Sequence, residues 1–286
     1  MTRAAGMLEA ERVTVSLPDR SKKPLWGAAP LTTILHDLSL QIAPGETVGV
    51  VGESGSGKST LGRTFLRLYR PASGRILLDG RDLVDLTEAE AREVRLKVQM
   101  IFQDSQSSLN PRQRLVDILA GPFLAHGIAD GRKARQLATS LLERVGLSEL
   151  YASRYPHELS GGQRQRIGIA RAIALSPAYV VADEIVSGLD VSVQAQILAL
   201  LRDLRAESRM GMIFISHDLS VVRSLCDRVA VIQSGTIVEH GTCTEIFECP
   251  SHHYTKQLLR AIPLPKYEPG WLRSTGPEPA SSANGV

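Results

Sequence analysis

The sequence predicts an α/β fold whose sheet is covered on both faces, and three observations carry that expectation. The runs "ETVGVVG" (46–52), "AYVVAD" (178–183) and "GMIFIS" (211–216) are apolar and of strand length, and helical patterns separate them. The first ends in glycine and passes into "KSTLGRTFLRLY", where Leu61, Phe65 and Leu68 recur at helical spacing, so it reads as strand, loop, helix. The segment "RVAVIQSGTIVEHG" (228–241) divides at Ser234-Gly235 into two strand-like halves, a hairpin. Elsewhere "DRSKKPLWGAAP" and the region around Pro111 read as loops. Between Gln103 and about Ser176 the strand signals vanish. There "DGRKARQLATSLLERVGL" spaces its apolar residues as a helix does, which predicts a mainly helical subdomain inserted into the core. From Pro263 the chain is rich in Pro, Gly and Ser and reads as a disordered tail.

Composition narrows the function classes. At 286 residues and 43% hydrophobic, the chain can bury one large core or two modest ones, and its length allows one domain with an insertion. The net charge of +3 is spread without a run of like charges, which argues against a nucleic-acid-binding tail. Cys226, Cys243 and Cys249 are odd in number and form no CxxC pair, so a disulfide framework and a four-thiolate metal site are both unsupported and reduced thiols are expected. No secretory h-region opens the chain and no stretch reaches the roughly 18 apolar residues of a membrane span, so a cytosolic protein is expected.

The first chemical motif is "GESGSGKST", comprising Gly52, Glu53, Ser54, Gly55, Ser56, Gly57, Lys58, Ser59 and Thr60. It fits G-x-x-x-x-G-K-[ST] between a strand and a helix, where glycines let backbone amides curl around phosphate oxygens. Lys58 is then placed to reach the β- and γ-phosphates of a nucleoside triphosphate, and Ser59 to offer its hydroxyl to Mg²⁺. The second is "YVVADE", which puts Asp183 and Glu184 at the carboxyl end of a buried strand, where α/β sheets bind ligands. Asp183 can hold the metal and Glu184 can polarise an attacking water, and phosphoryl transfer asks mainly for such positioning and charge neutralisation. The third, "LSGGQRQR" (159–166), contains no thiol, imidazole or carboxylate. Ser160, Gly161 and Gly162 precede a pattern of Ile167, Ile169, Ala170, Ile173 and Ala174 that suits a helix ending before Ser176-Pro177. Ser160 therefore reads as an N-cap, and the helix start as a site with free amides and a dipole favouring an anion.

These motifs, with Gln103 in "MIFQD", "SGLD" (187–190) and His217 in "ISHD", follow one another in the order of the ATP-binding subunits of ABC transporters, which the chain resembles from about Leu8 to Pro263. The resemblance implies a P-loop NTPase (RecA-like) core with an ABC antiparallel β part and an inserted helical subdomain. It implies a nucleotide-binding domain over 8–246 with the helical part at about 103–176, a C-terminal extension over 247–266, and a disordered tail over 267–286. ATP and Mg²⁺ are the implied ligands. Gln103 resembles the lid glutamine that touches Mg²⁺ and the attacking water, His217 the histidine that contacts the γ-phosphate, and Asp190 the aspartate that links two active sites. Ser160, Gly161, Gly162 and Gln163 would cover ATP bound to a second ATPase subunit, head to tail. Asp190 also reads as a plain N-cap for "VSVQAQILALLRDL", and both roles can hold.

The segments "QMIFQDSQSSLNPR" and "CPSHHYTKQLLRAIP" are similar to the oligopeptide, dipeptide and nickel import subfamily. The implied partners are two membrane permeases, a homologous or identical second ATPase and, indirectly, an extracytoplasmic solute-binding protein, with no nucleic acid. The implied place is the cytoplasmic face of the cell membrane. Ser105 and Ile185 resemble the nickel-type ATPase slightly more than the peptide type, where proline occupies both places. The other reading is a soluble ABC ATPase of an enzyme complex such as carbon–phosphorus lyase. Three departures from the family pattern stand out. Leu17 replaces the usual adenine-stacking aromatic, with Trp26 the nearby substitute; Ile185 replaces a proline; and Gly188 replaces a common alanine. Cys249, His252 and His253 lie close in sequence without a fixed metal-ligand pattern and read as solvated residues of the extension.

Overall fold

A computed structural model describes residues 6–22, 27–103 and 108–261. Trp26, Ser105 and the tail from Pro263 lie outside the described residues. Strands β1 (Leu8–Pro18), β2 (Leu31–Ile42), β4 (Ser73–Leu78) and β5 (Arg81–Asp82) form an antiparallel sheet in the order β2-β1-β4-β5. Strands β3 (Thr47–Val51), β6 (Val98–Ile101), β7 (Tyr179–Asp183), β8 (Gly211–Ile215), β9 (Arg228–Gln233) and β10 (Thr236–Thr242) form a second sheet in the order β10-β9-β3-β8-β7-β6. This second sheet is parallel except for β10, which pairs antiparallel with β9.

The parallel sheet explains the unbroken apolar runs. Along β3, β7, β8 and β9 alternate side chains enter two different cores: Val48, Val50, Val181, Ile213, Ile215, Ala230 and Ile232 face one, while Val51, Val180, Ala182, Met212, Phe214, Val229 and Val231 face the other. Both faces are covered, so neither needs polar residues, and each fully buried Val, Leu or Ile contributes about 1.5–3 kcal/mol. The first core is closed by helix α1 (Lys58–Phe65) and by the antiparallel sheet, through Leu61, Phe65, Leu35 and Leu38. Helix α2 (Glu88–Lys97) lies on the same side through Val94. The second core is closed by α3 (Leu115–Ala125), α4 (Gly131–Arg144), α5 (Gly161–Ile173), α6 (Val191–Ser208) and α7 (Leu219–Leu225). Short helices α8 (Cys243–Glu248) and α9 (His253–Arg260) follow β10. Among the described residues between 103 and 176 there are helices and 3₁₀ turns and no strand.

One sequence expectation changes in detail. Leu68 does not continue the first helix: Leu66 caps it, Arg67 turns left-handed at φ 56°, and Leu68 is 55% exposed. The strands of the antiparallel sheet are irregular where β1 meets β2, with register shifts between Ala10 and Val13, Val13 and Val15, and Val15 and Ser16. The hairpin at Ser234-Gly235 is as expected, both residues having positive φ (47° and 81°), the geometry of a type I′ turn.

That turn does more than reverse the chain. The Gly235 N–H donates to the Ser56 carbonyl at 2.9 Å, and the His36 N–H donates to the Gly235 carbonyl at 2.9 Å. One glycine thus ties the glycine-rich loop to both sheets. A side chain here would need the left-handed conformation and would run into the Ile34 carbonyl. Gly235→Ala should cost on the order of 3 kcal/mol, roughly 6–12 °C in Tm. Thermal unfolding checks this, and an unchanged Tm would show that the turn relaxes without loss.

Candidate nucleotide and catalytic site

The glycine-rich loop joins β3 to α1 and is already closed on itself. Gly52 has φ 151°, and a Cβ there would strike the Ile232 carbonyl, so the backbone can pass this close to β9 only without a side chain. Gly57 (φ 105°) sits at the N-cap of α1. Lys58 is only 4% exposed, and its Nζ donates to the carbonyls of Gly52 (2.9 Å) and Glu53 (2.7 Å). Burial pushes the pKa of this ammonium down, while the carboxylates of Glu184, Asp183 and Glu53 oppose that shift. The loop therefore encloses a positive charge held by its own backbone carbonyls, with three carboxylates acting on it.

Asp183, the last residue of β7, is 1% exposed and accepts a hydrogen bond at 2.8 Å from Ser59 Oγ on α1. Burial raises its pKa; the Ser59 hydroxyl, Arg63 and Lys58 pull it down, and Glu184 pushes it up. The next residue leaves the strand abruptly. Glu184 has φ 48°, a left-handed conformation that costs on the order of 1 kcal/mol for a residue with a side chain, and its N–H is held by the Ile215 carbonyl at 2.9 Å. Its Oε2 receives Gln103 Nε2 at 3.0 Å and lies 3.5 Å from His217 Nδ1. Gln103 follows β6, and His217 stands between β8 and the Asp218 cap of α7. The carboxyl ends of three parallel strands thus bring the three expected catalytic residues to one carboxylate oxygen.

The remaining expected residues form a second group. Ser160 caps α5 in a reciprocal box: its Oγ accepts the Gln163 N–H at 3.3 Å, and Gln163 Oε1 accepts the Ser160 N–H at 3.0 Å. Gln163 Nε2 also donates to the Tyr151 hydroxyl at 3.0 Å, so its side chain is spent on shaping the helix entrance. Ile167, Ile169, Ala170, Ile173 and Ala174 are all buried, as the spacing predicts. Gly161 and Gly162 lie against Leu189 and Val193, beside Asp190. Asp190 caps α6, accepting the Val193 N–H at 2.9 Å and the Ser192 hydroxyl at 3.0 Å, and these two bonds lower its pKa. Among the described residues no hydrogen bond of Ser160, Gly161, Gly162, Gln163 or Asp190 reaches the glycine-rich loop.

A model of the ABC transporter family matches residues 35–187. The chain is 47% identical over 255 residues to the oligopeptide transport ATP-binding protein AppF of Bacillus subtilis, covering 87% of this chain and 78% of that one. The chain belongs to the ABC transporter family. To the dipeptide transport ATP-binding protein DppF of Lactococcus lactis subsp. cremoris it is 50% identical over 234 residues, 81% of this chain and 75% of the other. Among solved structures, the dimeric post-hydrolysis state of the ATP-binding cassette MJ0796 bound to ADP and Pi matches with a TM-score of 0.72 and 28% identity, over 82% of this chain and 98% of that chain. The ABC ATPase fold expected from the sequence is therefore present, and ATP hydrolysis is the activity that membership brings.

Two of the three departures find physical explanations. Ile185 is 2% exposed and, with Val186, is buried in the second core, so apolar burial anchors the turn after Glu184. The Ser187 N–H closes the turn onto the Glu184 carbonyl at 3.2 Å. Gly188 takes φ 75°, the conformation for which glycine is suited and alanine is not. Leu17 is partly buried against the first core. His252, next to Cys249 in the extension, uses Nδ1 to accept the Tyr254 N–H at 3.2 Å and so caps α9. Sequence reasoning passed over two contributors to the loop, Gly235 and Tyr254, whose hydroxyl accepts the Glu53 N–H at 3.0 Å. Gly235 was legible as a hairpin turn and Tyr254 as part of the extension, but not their bonds to the loop, because each meets a backbone atom there.

Asp183 gives a signed expectation. Because burial raises its folded pKa, the acid favours folding at low pH, and that contribution is lost as pH rises through the raised value. Asp183→Asn keeps an oxygen for Ser59 and removes the buried charge. It should raise the Tm of the nucleotide-free protein at pH 7, by about 2–4 °C for each kcal/mol relieved, with the gain shrinking toward pH 4. A lower Tm at pH 7 would show that the ionised acid stabilises the fold.

Proposed function

We propose that this chain is the ATP-binding and hydrolysing subunit of a peptide importer, lying against the cytoplasmic face of the cell membrane. The observation that carries the reading is the meeting of Gln103 and His217 on one Glu184 oxygen beside a preformed phosphate loop. The solute class follows from the oligopeptide and dipeptide transport relatives. Nothing in those relatives favours nickel or an enzyme complex such as carbon–phosphorus lyase.

In this reading the loop amides surround the phosphates of ATP, and Lys58 exchanges the Gly52 and Glu53 carbonyls for β- and γ-phosphate oxygens. The donors around Ser59 fit Mg²⁺: a hydroxyl and a buried carboxylate, Asp183, that pays for its charge without a full counter-charge, with the Gln103 amide oxygen as a third hard ligand. Mg²⁺ held there supplies neutralisation of the phosphate charge. Glu184 accepts the proton of the attacking water, and His217 holds that water and the γ-phosphate. The new P–O bond forms from water as the bond to the β-bridging oxygen breaks, leaving ADP and phosphate.

The second group of residues serves a neighbouring subunit. Gly161 and Gly162 present the orphan amides of α5, and a γ-phosphate held by a partner's loop is the anion that such a helix start accepts. The dimeric arrangement of the MJ0796 cassette supports the pairing. For the membrane side, a cleft of about 720 Å³ opens beside Gln103, with exposed Leu68 and Phe102 in its lining. Permease helices docked there would sense Gln103 directly. Among the described residues no helix is long and apolar enough to cross a membrane, so the reading assigns the membrane passage to separate permeases.

Glu184→Gln should keep ATP binding, lower turnover by roughly 10²–10⁴-fold as loss of a general base does, and collect as an ATP-bound dimer. Unimpaired steady-state hydrolysis by this variant would remove Glu184 from its assigned role. The transport reading is tested by retrieving the tagged chain from native membranes in mild detergent. Two polytopic permeases and a second ATPase are expected among the retained proteins; soluble enzymes without a permease would refute import while leaving the ATPase reading intact.

A further inference from the structure

The C-terminal segment reaches back to the nucleotide loop. Tyr254, in the first turn of α9, is 4% exposed, and its hydroxyl accepts the Glu53 backbone N–H at 3.0 Å across 201 positions of sequence. That N–H belongs to the same peptide unit as the Gly52 carbonyl, which accepts Lys58 Nζ at 2.9 Å. One peptide group of the loop is thus gripped at both ends, by a lysine on its oxygen and by a tyrosine on its nitrogen. Gly52 precedes it at φ 151° and has no side chain to resist rotation of that peptide.

We propose that Tyr254 is a positioning residue for nucleotide binding, its hydroxyl fixing the 52–53 peptide in the orientation that the phosphates of ATP require, with α9 as a brace on the loop. The proposal rests on the ATP reading above. When Lys58 turns to the phosphates, its hold on the Gly52 carbonyl ends, and Tyr254 remains as the grip that does not change with ligand. The brace has its own anchor. Glu239 on β10 accepts hydrogen bonds from the Ser251 N–H (2.6 Å), the Ser251 hydroxyl (2.7 Å) and the His252 N–H (3.1 Å), which pins the entrance of α9 to the sheet. Burial opposes ionisation of Glu239, and hydrogen bonding at this entrance more than reverses it, holding the pKa at about 2. The anchor is therefore charged throughout the physiological range. From sheet to loop the path is Glu239, the α9 entrance, the Tyr254 hydroxyl and the Glu53 amide.

Tyr254→Phe tests the proposal because it removes the hydroxyl and leaves the ring in its buried place. A net hydrogen bond of this kind converts to about a 3- to 10-fold change in affinity. Calorimetry with Mg-ATP should show the Kd rising by that factor, and steady-state assays should show KM rising while kcat changes less than twofold. Glu239→Gln, which weakens the anchor without touching the loop, should move Kd in the same direction. The double variant should show less than the product of the two effects, since both act along one path. A wild-type Kd in Tyr254→Phe, or a fall in kcat with KM unchanged, would overturn the proposal. Independent multiplication of the two effects would overturn the path from Glu239. If the wild-type chain itself failed to bind Mg-ATP, the nucleotide reading would fall and this inference with it; binding by the wild type that Tyr254→Phe reproduces would sink the inference alone.

Discussion

Burial of the Lys58 ammonium inside its own loop is the interaction on which the rest of the site depends. A cation removed from water needs compensation, and here two carbonyls of the loop supply it at 2.7 and 2.9 Å. Those bonds curl the loop around the ammonium, and its two carbonyl partners carry no formal charge. Phosphate oxygens can supply what the carbonyls lack. The loop is consequently both ordered and receptive, which is the condition for tight binding at small reorganisation cost.

The fold serves that loop from several directions. β3 delivers it between β8 and β9, at the carboxyl ends of the parallel strands; β7 brings Asp183 to Ser59; and the β9–β10 turn bonds to Ser56 through Gly235. The strained backbone at Glu184 lifts its carboxylate out of the sheet toward Gln103 and His217. Rigidity comes from the two cores on either side of the sheet. The helix starts capped by Ser160 and Asp190 are built just as firmly but bond to their own surroundings. In the proposed head-to-tail pairing, these helix starts form the half of the site that a neighbouring subunit uses.

Much of this was legible in the sequence because phosphate chemistry restricts residue choice. In the proposed reading Gly52, Lys58, Ser59, Asp183 and Glu184 are dictated by what phosphate and metal demand; the runs in β3, β7 and β8 are dictated by a sheet buried on both faces. The α5 cap could be placed to the residue, since Ser160 carries the capping logic in its side chain; the reciprocal bond from Gln163 came with the structure. Other features were hidden for physical reasons. β1 breaks its own alternation with irregular pairing to β2. Leu68 fits helical spacing, but a left-handed Arg67 ends the helix before it. Gly235 and Tyr254 act on backbone atoms of the loop, so residue type alone could not reveal them.

The central claim, that one chain's loop works with another chain's α5 entrance, is tested most directly by mixing two crippled variants. Lys58→Ala lacks a working loop and keeps Ser160; Ser160→Arg blocks the entrance and keeps the loop. Under conditions in which the wild type hydrolyses ATP, each variant alone should be inactive, and the mixture should regain activity through the one composite site that joins the intact halves. A mixture no more active than its components would contradict the shared site and place the whole catalytic apparatus within a single chain.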